Sequence, residues 1–359
     1  MSLKKLTPVA TCILIFLFSS SYTPAQNADW NKELTTANAA RKRGEYTVAE
    51  THYKHVISAQ ERVLGSENMD VAASLNNLAV LYQDESMYTQ AEPLYKRSLA
   101  IWKKHPGQET QVALCLNNLA ALHHDENLYA TAEAEYNSAL AIWEKTHSAG
   151  SPDAAVTLAG LADIYHSQGR DAEAQPLYTR VLAIWEKNGK MESSEATSTL
   201  LKLGDIYHAG SKDAAAQPLY IRALEILENT GKVETPEAIS ALGNLGEIYS
   251  SQGKYSDAEP FLAKVLQIKE RELGPNSLEV ASSASRLALL YYCESKYDKA
   301  EPLYKKSFQI RELNLGAKDP VVLQSLQFYA ALLRQEGRKE EAQKIETRPA
   351  RSENSKPLS

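Results

Sequence analysis

Hydrophobic side chains recur along this chain in two alternating patterns, each with the spacing of one helix face. The first reads Leu75, Leu78, Ala79, Tyr82, then Leu158, Leu161, Ala162, Tyr165. It continues as Leu200, Leu203, Gly204, Tyr207 and Leu242, Leu245, Gly246, Tyr249. Positions i, i+3, i+4 and i+7 share one stripe of an α-helix, so each copy predicts an amphipathic helix A. The small third residue leaves room for a neighbouring helix. The second pattern is Ala91-Glu92-Pro93-Leu94-Tyr95, which returns at Ala174, Ala216, Ala258 and Ala300, with weaker copies at Ala49, Ala132 and Ala342. Successive alanines are 42, 41, 42, 42, 42, 42 and 42 residues apart. This segment opens a helix B that runs on through Ile101, Ile142, Ile184, Ile226, Ile268 and Ile310.

Gln168-Gly169-Arg170 and Gln252-Gly253-Lys254 mark turns between A and B, and Leu273-Gly274-Pro275-Asn276-Ser277 leads into the next A. Pro93 and its equivalents are expected near the first turn of helix B, where a missing N–H costs little. A single helix pair cannot bury its own stripe, so stability must come from stacking. The expected fold is all-α, a right-handed α-solenoid of about eight helix-turn-helix repeats.

The two motifs and their spacing resemble the tetratricopeptide repeat, and the 42-residue period with Leu75-Asn76-Asn77-Leu78-Ala79 is similar to the kinesin-light-chain type. The resemblance covers about residues 29–345. Repeat one departs around Glu33 to Ala40, and repeat eight has Tyr329 and Leu333 in exchanged places, as terminal capping repeats do. In that family helix A lines the concave side. At 100° per residue, the face opposite the leucine stripe passes through Ala73, Asn77, Val80 and Asp84. The same register gives Leu114, Asn118, Ala121, Asp125, then Val156, Gly160, Asp163, Ser167, then Ser198, Lys202, Asp205, Ala209. Ser240, Asn244, Glu247, Ser251 and Ser282, Arg286, Leu289, Cys293 follow.

Asn77, Asn118 and Asn244 carry donor and acceptor together, which suits clamping a peptide backbone, and the resemblance implies that use; they suit bonds within the array as well. Lys202 and Arg286 are the cations of this face and would meet carboxylates. Asp84, Asp125, Asp163, Asp205 and Glu247 make it otherwise acidic, which points to a basic or neutral segment if they face inward and to a solvated helix surface if they do not.

Other constellations carry less. His124, His166 and His208 share one register, with His123 beside the first, but equivalent side chains of stacked helices stand ~8–10 Å apart and cannot hold one metal. Trp102, Trp143 and Trp185 share another register and are expected to pack between repeats. Tyr53, Tyr95, Tyr136, Tyr178, Tyr220 and Tyr304 belong to the helix B core stripe. No nucleotide loop, nucleophile elbow, HExxH, CxxC or EF-hand pattern occurs, so no catalytic residue, metal or cofactor is assigned.

Composition adds the setting. The 359 residues carry 39 basic and 45 acidic side chains, a formal charge of −6, which disfavours nucleic acid as a general partner. Lys4 and Lys5, an apolar run from Val9 to Phe18, and Thr23-Pro24-Ala25 have the order of a secretory signal peptide over residues 1–25. That run is about half of the ~20 residues that span a bilayer, so cleavage is favoured over anchoring. Export would place the chain in a periplasm or outside the cell, or at the membrane if uncleaved; no Asn-x-Ser/Thr acceptor occurs, which leans towards a bacterial route. Cys115 and Cys293, four repeats apart, are expected to be unpaired. The repeats would fill residues 26–345, and residues 346–359 form a polar tail with little apolar content. The functional expectation is a non-catalytic scaffold binding a peptide segment or partner protein. Self-assembly, as a homo-oligomer built through the terminal repeats or the tail, and membership of a cell-envelope or secretion complex are the alternatives.

Overall fold

A computed structural model describes residues 24–347 apart from residue 147, with side chains from residue 29 on. Most of the expected signal peptide and most of the expected tail therefore lie outside the described residues. The described chain is helical and pairs as the repeats require. It divides into two compact units, one through Thr199 and one from Leu200.

The first unit holds α1 (Pro24–Lys42) with α2 (Tyr46–Leu64), α3 (Met69–Asp84) with α4 (Tyr88–Lys104), α5 (Glu109–Asp125) with α6 (Tyr129–Lys145), and α7 (Pro152–Ser167) with α8 (Asp171–Lys187). The boundary falls inside α9 (Ser194–Ala209). The second unit continues with α10 (Asp213–Asn229), then α11 (Pro236–Ser251) with α12 (Tyr255–Leu273), α13 (Leu278–Cys293) with α14 (Tyr297–Leu315), and α15 (Pro320–Gln335) with the short α16 (Lys339–Glu346).

Local chemistry sets these boundaries. Several helices A begin behind a side-chain cap: Asn68 Oδ1 accepts from Asp70 N at 2.8 Å, and Ser151 Oγ from Ala154 N at 3.1 Å. Pro152, Pro236 and Pro320 occupy the first helical turn of α7, α11 and α15. Every A–B turn contains one residue with positive φ at the same register, supplied by Gly44, Gly169, Gly253 and Gly337, and elsewhere by Ser86, Asn127, Ser211 and Ser295. That conformation closes the helix end: Met87 N donates to Tyr82 O and Arg170 N to Tyr165 O, both at 2.8 Å.

The prolines of helix B lie deeper than their sequence suggests. Pro93, Pro176, Pro218, Pro260 and Pro302 are inside their helices, each five residues past the first one. Helix B starts earlier because the turn delivers the chain already capped by backbone bonds, as where Ala91 N donates to Met87 O at 3.1 Å. Each proline leaves one carbonyl four residues earlier without its helical donor. Those residues (Thr89, Ala172, Ala214, Ser256 and Asp298) are all exposed, so water can serve the carbonyl.

Packing follows the stripes. Tyr53, Tyr95, Tyr136, Tyr178, Tyr220 and Tyr304 are buried, as are Trp102, Trp143 and Trp185. Trp143 Nε1 donates to Thr157 Oγ1 of the next repeat at 3.1 Å, which places the tryptophan row between neighbours. Gly204 and Gly246 are small because a Cβ would lie 2.9 Å from the Tyr220 ring and 2.6 Å from Leu262. Cys115 is buried and Cys293 exposed, and both are free thiols.

Candidate functional site

The expected inner face of helix A differs between the two units. In the first, every side chain of α5 from Ala113 to His124 is buried, so Leu114, Asn118 (4% exposed) and Ala121 line no open groove. Asn118 Nδ2 donates to Asn76 Oδ1 of the preceding repeat at 3.0 Å; its amide is spent inside the array. Asn77 is half-buried. Asp84 accepts from Arg41 Nη1 at 2.5 Å and Asp125 from Gln83 Nε2 at 2.8 Å. Both bonds join the penultimate residue of one helix A to the last residue of the next. Burial pushes both carboxyls above the usual range, against the pull of their partners. Asp163 is buried and accepts from Tyr178 OH at 2.5 Å. The acids of this unit are thus bonded within the array, with Asp163 buried, Asp125 half-buried and Asp84 still reaching solvent.

A related ladder runs through the second unit. Asp205 accepts from Tyr220 OH at 2.6 Å and from Asn244 Nδ2 of the next repeat at 3.0 Å. One repeat on, Glu247 pairs with Arg286 Nη1 at 2.5 Å in the same register. Lys202 is half-buried on α9. Here, however, the face opens. On α13, Ser282, Arg286, Leu289 (50% exposed) and Cys293 all reach solvent, and on α15 the matching register exposes Gln324, Phe328 (43%) and Gln335. Two large apolar side chains beside an arginine–glutamate pair form a surface that can take apolar anchors and polar backbone together.

The glutamate of the helix B marker has a role that sequence reading did not assign. Glu50 Oε1 accepts from Tyr82 OH at 2.8 Å, Glu133 Oε1 from Tyr165 OH at 3.1 Å, and Glu259 Oε1 from Tyr291 OH at 2.8 Å. Each bond joins one repeat to the next. Cations complete the motif, with Arg170 stacked 4.2 Å from the Tyr165 ring and Lys299 5.0 Å from that of Tyr291. The constant 32-residue offset of Glu and Tyr was the available signal. In the third repeat His123 replaces the tyrosine and lies buried, with Nδ1 2.7 Å from Glu135 and Nε2 3.6 Å from Glu92. His166 and His208 each meet their own carboxylate, Asp171 and Asp213, at 2.7 Å. Among the described residues no group of three His, Cys, Asp or Glu can hold a metal ion, and no helix is long and apolar enough to cross a membrane.

The tetratricopeptide repeat profile matches residues 33–104, 111–187, 195–271 and 279–348, most of the chain. This chain belongs to the tetratricopeptide repeat family. No curated protein matches its sequence. Solved structures similar to it include the STAND protein PH0952 of Pyrococcus horikoshii, which has a tetratricopeptide repeat sensor: 16% identity over 89% of this chain and 47% of that one, TM-score 0.59. The apo quorum sensor NprR of B. thuringiensis matches at 14% identity over 89% and 97%, TM-score 0.52. A putative kinesin light chain of Podosopora anserina with nearly identical repeats matches at 22% identity over 58% and 98%, TM-score 0.47. At these identities the first two likenesses bear on the fold alone.

Proposed function

We propose that this tetratricopeptide repeat chain is a non-catalytic interaction scaffold whose ligand, a peptide segment or partner surface, lies on helices α11, α13 and α15. The observation that carries this reading is the change of the inner face from closed on α5 to open on α13 and α15, where Leu289 and Phe328 stand exposed beside Arg286. Apolar side chains anchor the ligand, the Arg286–Glu247 pair meets its charges, and Asn118 and Asn244 serve the array, each donating to a neighbouring repeat. The test is selection of a displayed random-peptide library on the protein, followed by calorimetry. Enriched peptides should bind at least tenfold more weakly to Leu289→Asp/Phe328→Asp, with helicity retained, and equally well to Asn118→Ala. Equal affinity for the native chain and the double variant would move the site off this face, and a library yielding no binder would end the reading.

An exported role is proposed with it, supported by Lys4, Lys5, the apolar run and Thr23-Pro24-Ala25. N-terminal sequencing of protein from the exporting cell should begin at Gln26; an intact Met1 or Ser2 would refute cleavage.

A further inference from the structure

Helices B in this chain have 17 or 19 residues, but α16 has 8. The missing half is the part that holds neighbours together. In α4, Ser98 Oγ donates to Ala72 O of its own helix A at 2.8 Å and meets Cys115 Sγ of the next helix A at 3.3 Å. Trp143, in the second half of α6, reaches Thr157 of the next repeat in the same way. After α16 there is neither such a wedge nor a following helix A among the described residues.

The consequence is visible on α15. Leu323 stands in the register of Ala72, Ala113, Ala155 and Ala281, all fully buried, yet it is 47% exposed. Leu313 is 69% exposed at the end of α14, where the other long helices B carry Arg62, Lys104, Lys145, Lys187, Asn229 and Arg271, all polar. Of the twelve exposed large hydrophobic side chains among the described residues, four (Leu313, Leu315, Val321 and Leu323) fall in this one turn and its flanks, outside the register of Phe328. A capping repeat is ordinarily polar on its outer side, and this one is not.

The residues that follow α16 are poor candidates to cover it. By repeat register Pro349, Ala350, Ser352 and Glu353 correspond in sequence to Ser98, Leu99, Ile101 and Trp102 of α4, so a proline, an alanine and two polar residues replace the set that is buried there. What covers this face in the earlier pairs is another pair of the same repeat. Leu323 is flanked on its own helix face by exposed Gln327 and Arg334, an apolar centre with a polar rim. A two-fold axis would bring two such patches together, apolar centre on apolar centre.

We infer that the open end formed by α14 and α15 is a homodimer interface in which a second copy of this chain seats its own α15 against Leu323. The interface lies apart from the register proposed for ligand, so the two functions are separable. The experiment is sedimentation velocity of the full chain across a roughly hundredfold concentration range, alongside Leu323→Asp and a chain ended after Thr347. The native chain should shift from monomer to dimer. Leu323→Asp, at an exposed position, should keep its helicity and raise the dissociation constant at least tenfold, and the shortened chain should dimerise like the native one. A monomer at every concentration would overturn the inference, as would a dimer indifferent to Leu323→Asp. Dimerisation seen only after removal of residues 348–359 would overturn it too, by making that segment the occupant.

Discussion

Single side chains show which polar groups this fold satisfies and which it leaves alone. Tyr178 and Tyr220 donate to Asp163 and Asp205, but Tyr136 has no partner among the described residues, because its register on helix A is filled by Ala121. Its hydroxyl sits where a Cβ on Gly160 would be, 2.4 Å away. Tyr136→Phe should therefore hold or raise the unfolding free energy. Tyr178→Phe removes a donor from a buried carboxylate and should lower it by about 1–3 kcal/mol in chemical denaturation. Equal losses from both would contradict this assignment. Asp70 gives a pH-dependent counterpart. Partial burial at the start of α3 pushes its carboxyl from 3.8 up to about 6. The folded chain holds that proton more tightly than the unfolded one, so Asp70 costs stability as pH rises from about 4 to 6. Asp70→Asn should be the more stable protein at pH 7, with the difference fading below pH 4; a gap that persists at pH 3.5 would assign the effect to something other than ionisation.

At the level of elements, the sequence disclosed more than half of the design. Helix identity, pairing and period follow from Leu-x-x-Leu-Ala-x-x-Tyr and Ala-Glu-Pro-Leu-Tyr, because burial of a stripe dictates 3.6-residue spacing wherever it occurs. The proline position was misplaced by about one turn, since the cap that starts helix B is made by backbone bonds that leave no residue signature. The candidate face was legible as a register and illegible as a surface. Whether Asn118 faces ligand or Asn76 depends on how closely helices A approach, and that distance is set by packing far from the amide. The A–B turns hold a further consequence. Ser86, Ser211 and Ser295 adopt φ of 59°, 55° and 61° where other repeats use glycine. A left-handed non-glycine residue costs about 1–2 kcal/mol, offset by glycine's greater unfolded entropy of roughly 0.5–1 kcal/mol. Each Ser→Gly exchange should thus stabilise by about 0.5 kcal/mol, read as a small upward shift of the denaturation midpoint. A downward shift would mean that the serine side chain contributes to the turn.

At the scale of the whole molecule, each inter-repeat bond described above reaches only the adjacent repeat. Asn118 bonds Asn76, Tyr165 bonds Glu133, Trp143 bonds Thr157 and Arg286 bonds Glu247, each within one helix pair of its own. A chain held together this way behaves as a one-dimensional array in which damage stays local. Trp143→Ala removes one of the largest fully buried side chains and should cost about 3–5 kcal/mol. Hydrogen exchange should then rise first in α5 to α8, while α13 to α15 keep their native protection. The binding face proposed on α13 and α15 would for the same reason tolerate this damage, so peptide affinity should survive in a protein whose first unit has loosened. Uniform loss of protection from α3 to α15 would show instead that the array unfolds as one cooperative body, and then no variant in the first unit could be read as sparing the second.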